Sequence, residues 1–116
     1  MSRLPLKGRR RPDTYMSVMP DEIQAGDFWK VLDRETGEPR NSVVPTNLTG
    51  TVWCVVAPIG DHGFQIAVLT HHTVREHKDG TISVLPGDGS SNSILVNGSH
   101  SRSFHGYIRN GVWDSV

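Results

Sequence analysis

Two dipeptides, Asp79-Gly80 and Asn110-Gly111, limit what this chain can become more than any other feature in it. Each separates two short runs rich in β-branched and aromatic residues. Asp-Gly and Asn-Gly are the pairs that a type I′ hairpin turn requires, because both central residues need positive φ. Hairpins at these points commit residues 72–77, 81–85, 104–108 and 111–115 to antiparallel strands. No segment sustains the 3.6-residue apolar period for three helical turns. An all-β fold follows, a small single-domain barrel or sandwich of short antiparallel strands.

The same punctuation marks the remaining elements. Further strands are expected at 51–57, 63–69 and 93–96. A first one lies within Ala25-Gly26-Asp27-Phe28-Trp29-Lys30-Val31-Leu32, where aromatic and β-branched content rises, and residues 33–41 break it. Residues 86–92, with Gly87, Gly89 and three Ser or Asn, form a connection. This makes 25–116 one β-rich domain. Residues 1–24 differ: Pro5, Pro12 and Pro20 interrupt them and no apolar period survives, which predicts an extended arm. Its apolar residues Leu4, Leu6, Tyr15 and Met19 can dock on the body of this copy or of a second one. Phe28 and Trp29 point to opposite faces of their strand, so one of them is expected outward, as an interaction residue.

Length and charge narrow the function classes. A chain of 116 residues can bury roughly two-thirds of its unfolded surface without a metal or disulfide. Basic and acidic residues number 12 each, so no global field favours nucleic acid or an anionic membrane. The distribution is uneven, because Arg3, Lys7, Arg9, Arg10 and Arg11 crowd the first twelve positions without an acid, leaving seven basic against twelve acidic residues beyond them. A basic arm thus meets a body of net −5. Within the arm, Lys7, Arg9, Arg10 and Arg11 are the candidate nucleic-acid contacts. The single cysteine, Cys54, lies in the apolar run Val52-Trp53-Cys54-Val55-Val56-Ala57 and reads as a buried thiol. That run is far shorter than the roughly 20 residues a membrane helix needs. The expectation is a soluble, cytoplasmic protein with no membrane partner.

Three of the six histidines crowd into Thr70-His71-His72-Thr73-Val74-Arg75-Glu76-His77, which raises the question of a metal or catalytic site. Strand geometry answers it locally. A strand advances about 3.3 Å per residue, so His71 and His77 stand some 20 Å apart, whereas the ligands of one zinc lie about 2 Å from it. A site would have to assemble across strands, from His71, His77 or His105, and no CxxC, HxH or HExxH pairing supports one. No metal and no cofactor is therefore expected, and strand histidines facing solvent or hydrogen-bonded are the simpler reading. Ser101, Ser103 and His105 are close in sequence, but no GxSxG elbow stands there to expose a nucleophile. Gly87-Asp88-Gly89 lacks the Lys-Ser/Thr of a phosphate loop. No catalytic residue is assigned.

Along residues 5–29 (PLKGRRRPDTYMSVMPDEIQAGDFW), 75–84 (REHKDGTISV), 93–96 (SILV) and 104–113 (FHGYIRNGVW) the chain resembles a family of small uncharacterised proteins of actinobacteria and their bacteriophages. Some of these bear the name ammonia monooxygenase. That enzyme is a membrane-embedded copper complex, whereas this chain has neither a span of membrane length nor a cluster of copper ligands, so the name does not fit. The resemblance implies a phage-associated accessory protein, in the host cytoplasm or associated with the virion, and transfers no functional residue. Together these readings lead to a non-enzymatic interaction protein that binds another protein or its own copies. The alternatives are a nucleic-acid-binding protein using the basic arm and a metal-dependent enzyme using cross-strand histidines.

Overall fold

The computed structural model of the protein describes residues 4–15, 19–39, 52–60, 63–69, 73–85, 94–97 and 103–115. Eleven strands run through them: β1 (Leu6–Lys7), β2 (Arg9–Arg10), β3 (Thr14–Tyr15), β4 (Asp27–Leu32), β5 (Trp53–Ile59), β6 (Gly63–Leu69), β7 (Thr73–Glu76), β8 (Ile82–Leu85), β9 (Ile94–Asn97), β10 (Ser103–Arg109) and β11 (Val112–Ser115). The protein is all-β and sandwich-like, and no helix occurs among the described residues. One sheet has the order β1-β11-β10-β9. A second has the order β2-β4-β5-β6 with β3 also on β4, and β7-β8 is a separate hairpin.

The Asn110-Gly111 turn is as expected, with φ of 50° and 81°, and it places Arg109 opposite Val112 and Tyr107 opposite Asp114. The other turn differs. Gly80 has φ 87° but Asp79 stays at negative φ, and His77 and Thr81 close a three-residue loop through Gly80 N–H to His77 O at 3.0 Å and His77 N–H to Thr81 O at 2.8 Å. Asp79 is held by its own carboxylate, which accepts from Thr81 N–H at 3.0 Å and Thr81 Oγ1–H at 2.6 Å. This local bond favours a type I turn ended by a left-handed glycine over type I′. Another departure is Pro58, which lies inside β5 opposite Phe64. It lies beyond the start of β4, so its missing N–H removes no ladder bond.

Two apolar clusters sit on the two faces of the β4-β5 pair. The first joins Phe28, Trp53, Val55 and Ala57 to Val74, Ile82 and Val84 of the β7-β8 hairpin and to Ile108 and Trp113 of β10 and β11. On the other face are Trp29, Val31, Val52, Cys54 and Val56, with Ile23 and Ile66 against them. Phe28 and Trp29 are therefore both buried, at 1% and 2% exposure. The expectation that one faces out fails because this strand has a core on each side.

The N-terminal segment is strand-paired on the body. Leu6 pairs with Trp113 and Lys7 with Val112, antiparallel. Arg9-Arg10 and Thr14-Tyr15 run parallel to β4, which departs from the antiparallel pattern expected, since no hairpin turn joins them directly to β4. Gly8 stands at the step from one sheet to the other: its N–H donates to Gly111 O at 2.7 Å, and the next N–H, of Arg9, donates to Gly26 O at 3.1 Å. A β-carbon there would lie 3.0 Å from Gly111 O and 3.2 Å from both Gly26 O and Phe28 Cε1. Only glycine fits this crossing without displacing backbone.

Candidate functional site

Three basic residues of the N-terminal segment, Arg9, Arg10 and Arg11, bond to acids and carbonyls of the same chain. Asp27, fully buried at the start of β4, accepts from Arg9 Nε and Nη2 at 2.8 Å each and from Gln24 N–H at 2.9 Å. A two-pronged guanidinium on a carboxylate is the strongest form of ion pair, and it holds the Arg9 proton more tightly than usual. The remaining Arg9 contact is with Glu22 O at 3.0 Å. Arg10 donates to Glu76 at 2.8 Å and to Gly80 O at 3.0 Å, and its guanidinium lies over the Trp53 ring at 4.9 Å. Lys30 approaches the same carboxylate at 2.8 Å and the same ring at 5.5 Å. For Glu76, partial burial works to raise the pKa, but the hydrogen bonds from Lys30 and Arg10 outweigh it and hold the group below its ordinary value. Arg11 donates to Asp21 O at 2.7 Å, and its buried Nε has no hydrogen-bond partner. Lys7 is exposed on β1.

Of the apolar arm residues, Leu4 and Leu6 pack on the first cluster. Tyr15 and Met19 remain exposed, at 39% and 53%.

The histidine candidates do not gather. His77 Nε2 lies 2.7 Å from Ser83 Oγ, and that oxygen accepts from Asn110 N–H at 2.8 Å. A hydroxyl beside an imidazole is the first half of a nucleophile pair, but an acid must then orient the ring. Here the nearby Asp79 carboxylate is engaged by Thr81, whose hydroxyl and N–H hold its pKa down. The bonds join the tips of two hairpins instead, with Gly111 N–H to Ile82 O at 2.8 Å beside them. His105 stands in β10 opposite Leu95, and His71 lies outside the described residues, as does the 86–92 connection. Among the described residues no three His, Cys, Asp or Glu converge on a point. Burial pushes the Cys54 thiol up to about 11, far from thiolate chemistry at neutral pH.

The outer face of the β10-β11 hairpin carries what sequence reasoning missed. Tyr107, Arg109, Val112 and Asp114 line a depression of about 210 Å³. The Arg109 guanidinium lies 4.6 Å from the centre of the Tyr107 ring, and Val112 is 39% exposed. The signal was present in the Asn110-Gly111 turn: a two-residue turn fixes the register, and the register puts these four side chains on one face while Ile108 and Trp113 take the other. Chemically the depression offers a stacked cation, a phenol, a carboxylate and an apolar floor, a binding surface without a nucleophile.

Among the described residues no helix is long and apolar enough to cross a membrane. Compared with protein-family models, with curated proteins and with solved structures, the chain matches none.

Proposed function

We propose that the chain is a non-enzymatic interaction protein, of the phage-associated accessory kind that the sequence resemblance implies, and that it holds a protein partner on the β10-β11 face. One observation carries this reading: Arg109 stacked on Tyr107 beside exposed Val112 and Asp114, around a depression that these four residues line. Tyrosine and arginine are the residues that most often dominate interface energetics. Stacking holds the long Arg109 side chain in place before a partner arrives, which lowers the entropy lost on binding. The basic segment supports the nucleic-acid alternative less well, since Arg9, Arg10 and Arg11 are already bonded within the chain.

The test is co-purification from phage-infected actinobacterial cells with tagged wild type and the Y107A/R109A variant. A protein recovered in stoichiometric amount with the wild type and lost with the variant, at unchanged melting temperature, supports the reading. Equal recovery with both would show that this face is not the docking surface.

A further inference from the structure

β6 forms one margin of its sheet, and among the described residues only β5 pairs with it. Its sequence, Gly63-Phe64-Gln65-Ile66-Ala67-Val68-Leu69, holds no charge and no proline, the two commonest devices that keep an edge strand from pairing with another chain. The other margins carry such devices. β2 holds Arg9 and Arg10 with Pro12 close behind, β1 holds Lys7 after Pro5, and β9 is four residues long against seven for β6.

The backbone of β6 is set for a further strand. Val31 N–H bonds to Val52 O at 3.0 Å, so Val52, and by the two-residue period Cys54, turn their polar groups toward β4. Trp53, Val55 and Ala57 then turn theirs toward β6, where the register gives them Leu69, Ala67 and Gln65. The N–H and C=O groups of Phe64, Ile66 and Val68 consequently point off the edge. Among the described residues Ile66 O is met only by the neighbouring Gln65 amide at 3.5 Å, a long contact that a stronger donor would replace. The side chains of the same three residues share one face. Phe64 and Val68 are exposed at 46% and 40%, and Ile66 between them is half-buried on the second apolar cluster.

From this geometry we infer that two copies of the chain pair through β6, antiparallel, about a two-fold axis at Ile66. The strand is self-complementary in that register: Ile66 meets Ile66, and each Phe64 meets the Val68 of the second copy. Every outward polar group of the three residues gains a partner, about six hydrogen bonds in all by the antiparallel ladder pattern. The two five-stranded sheets become one continuous sheet with an apolar stripe across the join. Copies carry a formal net charge of zero and do not repel at long range. Two short strands bury less than a standard interface, so the dimer is weak, with Kd on the order of 10–100 µM. This surface is separate from the Tyr107 depression, so either can fail alone.

Sedimentation equilibrium from about 5 to 500 µM, a range spanning that Kd, tests it. Wild type should pass from monomer to dimer mass. F64K and V68E should each weaken association about tenfold, because two symmetry-related cross-strand pairs are altered at once. In the F64K/V68E double variant the introduced opposite charges face each other in both halves of the dimer, and association should return to within about threefold of wild type. Both positions are exposed, and melting temperatures check that the variants fold. Wild type that stays monomeric overturns the inference. So do single variants that dimerise as well as wild type, or a double variant weaker than either single one.

Discussion

Asp27 shows how one buried side chain decides the fate of a basic stretch. Its carboxylate is fully buried, while Arg9 remains 40% exposed, so the two halves of the pair are not equivalent. Arg9→Ala leaves a buried charge with only the Gln24 N–H, and it should be the more destabilising of the two changes. Asp27→Ala leaves a guanidinium that can still reach water, and the loss should be smaller. Urea denaturation of both variants checks the asymmetry, and a larger loss for Asp27→Ala would show that burial of the acid does not control the pair. Glu76 makes a pH prediction. Its folded pKa is depressed, so in acid the unfolded chain takes up its proton first, and the stabilisation is complete above the ordinary glutamate value of about 4.3 and lost as pH falls through the lower folded value. Thermal melts of wild type and Glu76→Gln should therefore differ most at neutral pH and converge as pH falls below about 4. A gap that stays constant with pH would mean that the Arg10 and Lys30 contacts contribute no charge-dependent stability.

At the scale of elements, Gly8 is where two sheets are stitched by one chain, and replacing it should be costly for a reason specific to the crossing. The added carbon of Gly8→Ala meets two backbone oxygens, which cannot swing away as a side-chain tip can, so about 1–3 kcal/mol should be lost. Gly37, in open space with φ 71°, should lose only about 1 kcal/mol on the same change, from the left-handed backbone alone. Chemical denaturation ranks the two, and equal losses would argue against the crowded crossing. Gly8 also marks the limit of what the sequence makes legible. The body strands could be placed within about two residues of their observed ends because Asp79-Gly80, Asn110-Gly111 and the β-branched runs are local signals. The pairing of β1 with β11 and of β2 with β4 rests on contacts between residues 18 to more than 100 positions apart, and no period of 2 can appear in strands of two residues. The inward aim of Arg9 and Arg10 was hidden for the same reason, since their acids, Asp27 and Glu76, lie on other strands. The Tyr107 face was legible through its turn, and its depression was not, because concavity depends on sheet twist and neighbouring side chains.

Across the whole molecule, charge that looks like a nucleic-acid signal is largely consumed by folding. Each phosphate neutralised by a free cation adds about 0.9 to the slope of log affinity against log salt. Of the arm's Lys7, Arg9, Arg10 and Arg11, the three arginines already donate to Asp27, Glu76 or backbone carbonyls. Binding to mixed oligonucleotides should thus be weak with a slope of about 1, and a slope near 4 would mean that the arm leaves the body to bind. The same internal use makes the segment a structural part of the domain. Removing residues 1–15 deletes β1, β2 and β3, strips Trp113 and Phe28 of the strands beside them and takes Arg9 from the buried Asp27 carboxylate. Each loss alone falls within the few kcal/mol of a large single-site effect, and together they approach the 5–15 kcal/mol by which a domain of this size is stable. The truncated chain should therefore lose its cooperative melting transition at 25 °C, or melt at least about 15 °C below the full chain, since about 1 kcal/mol moves the midpoint by several degrees in a domain of this length. Calorimetry of the two chains at equal concentration decides it: coincident transitions would show that the strand pairing of the segment contributes little to stability, and the inward arginines would then need another explanation.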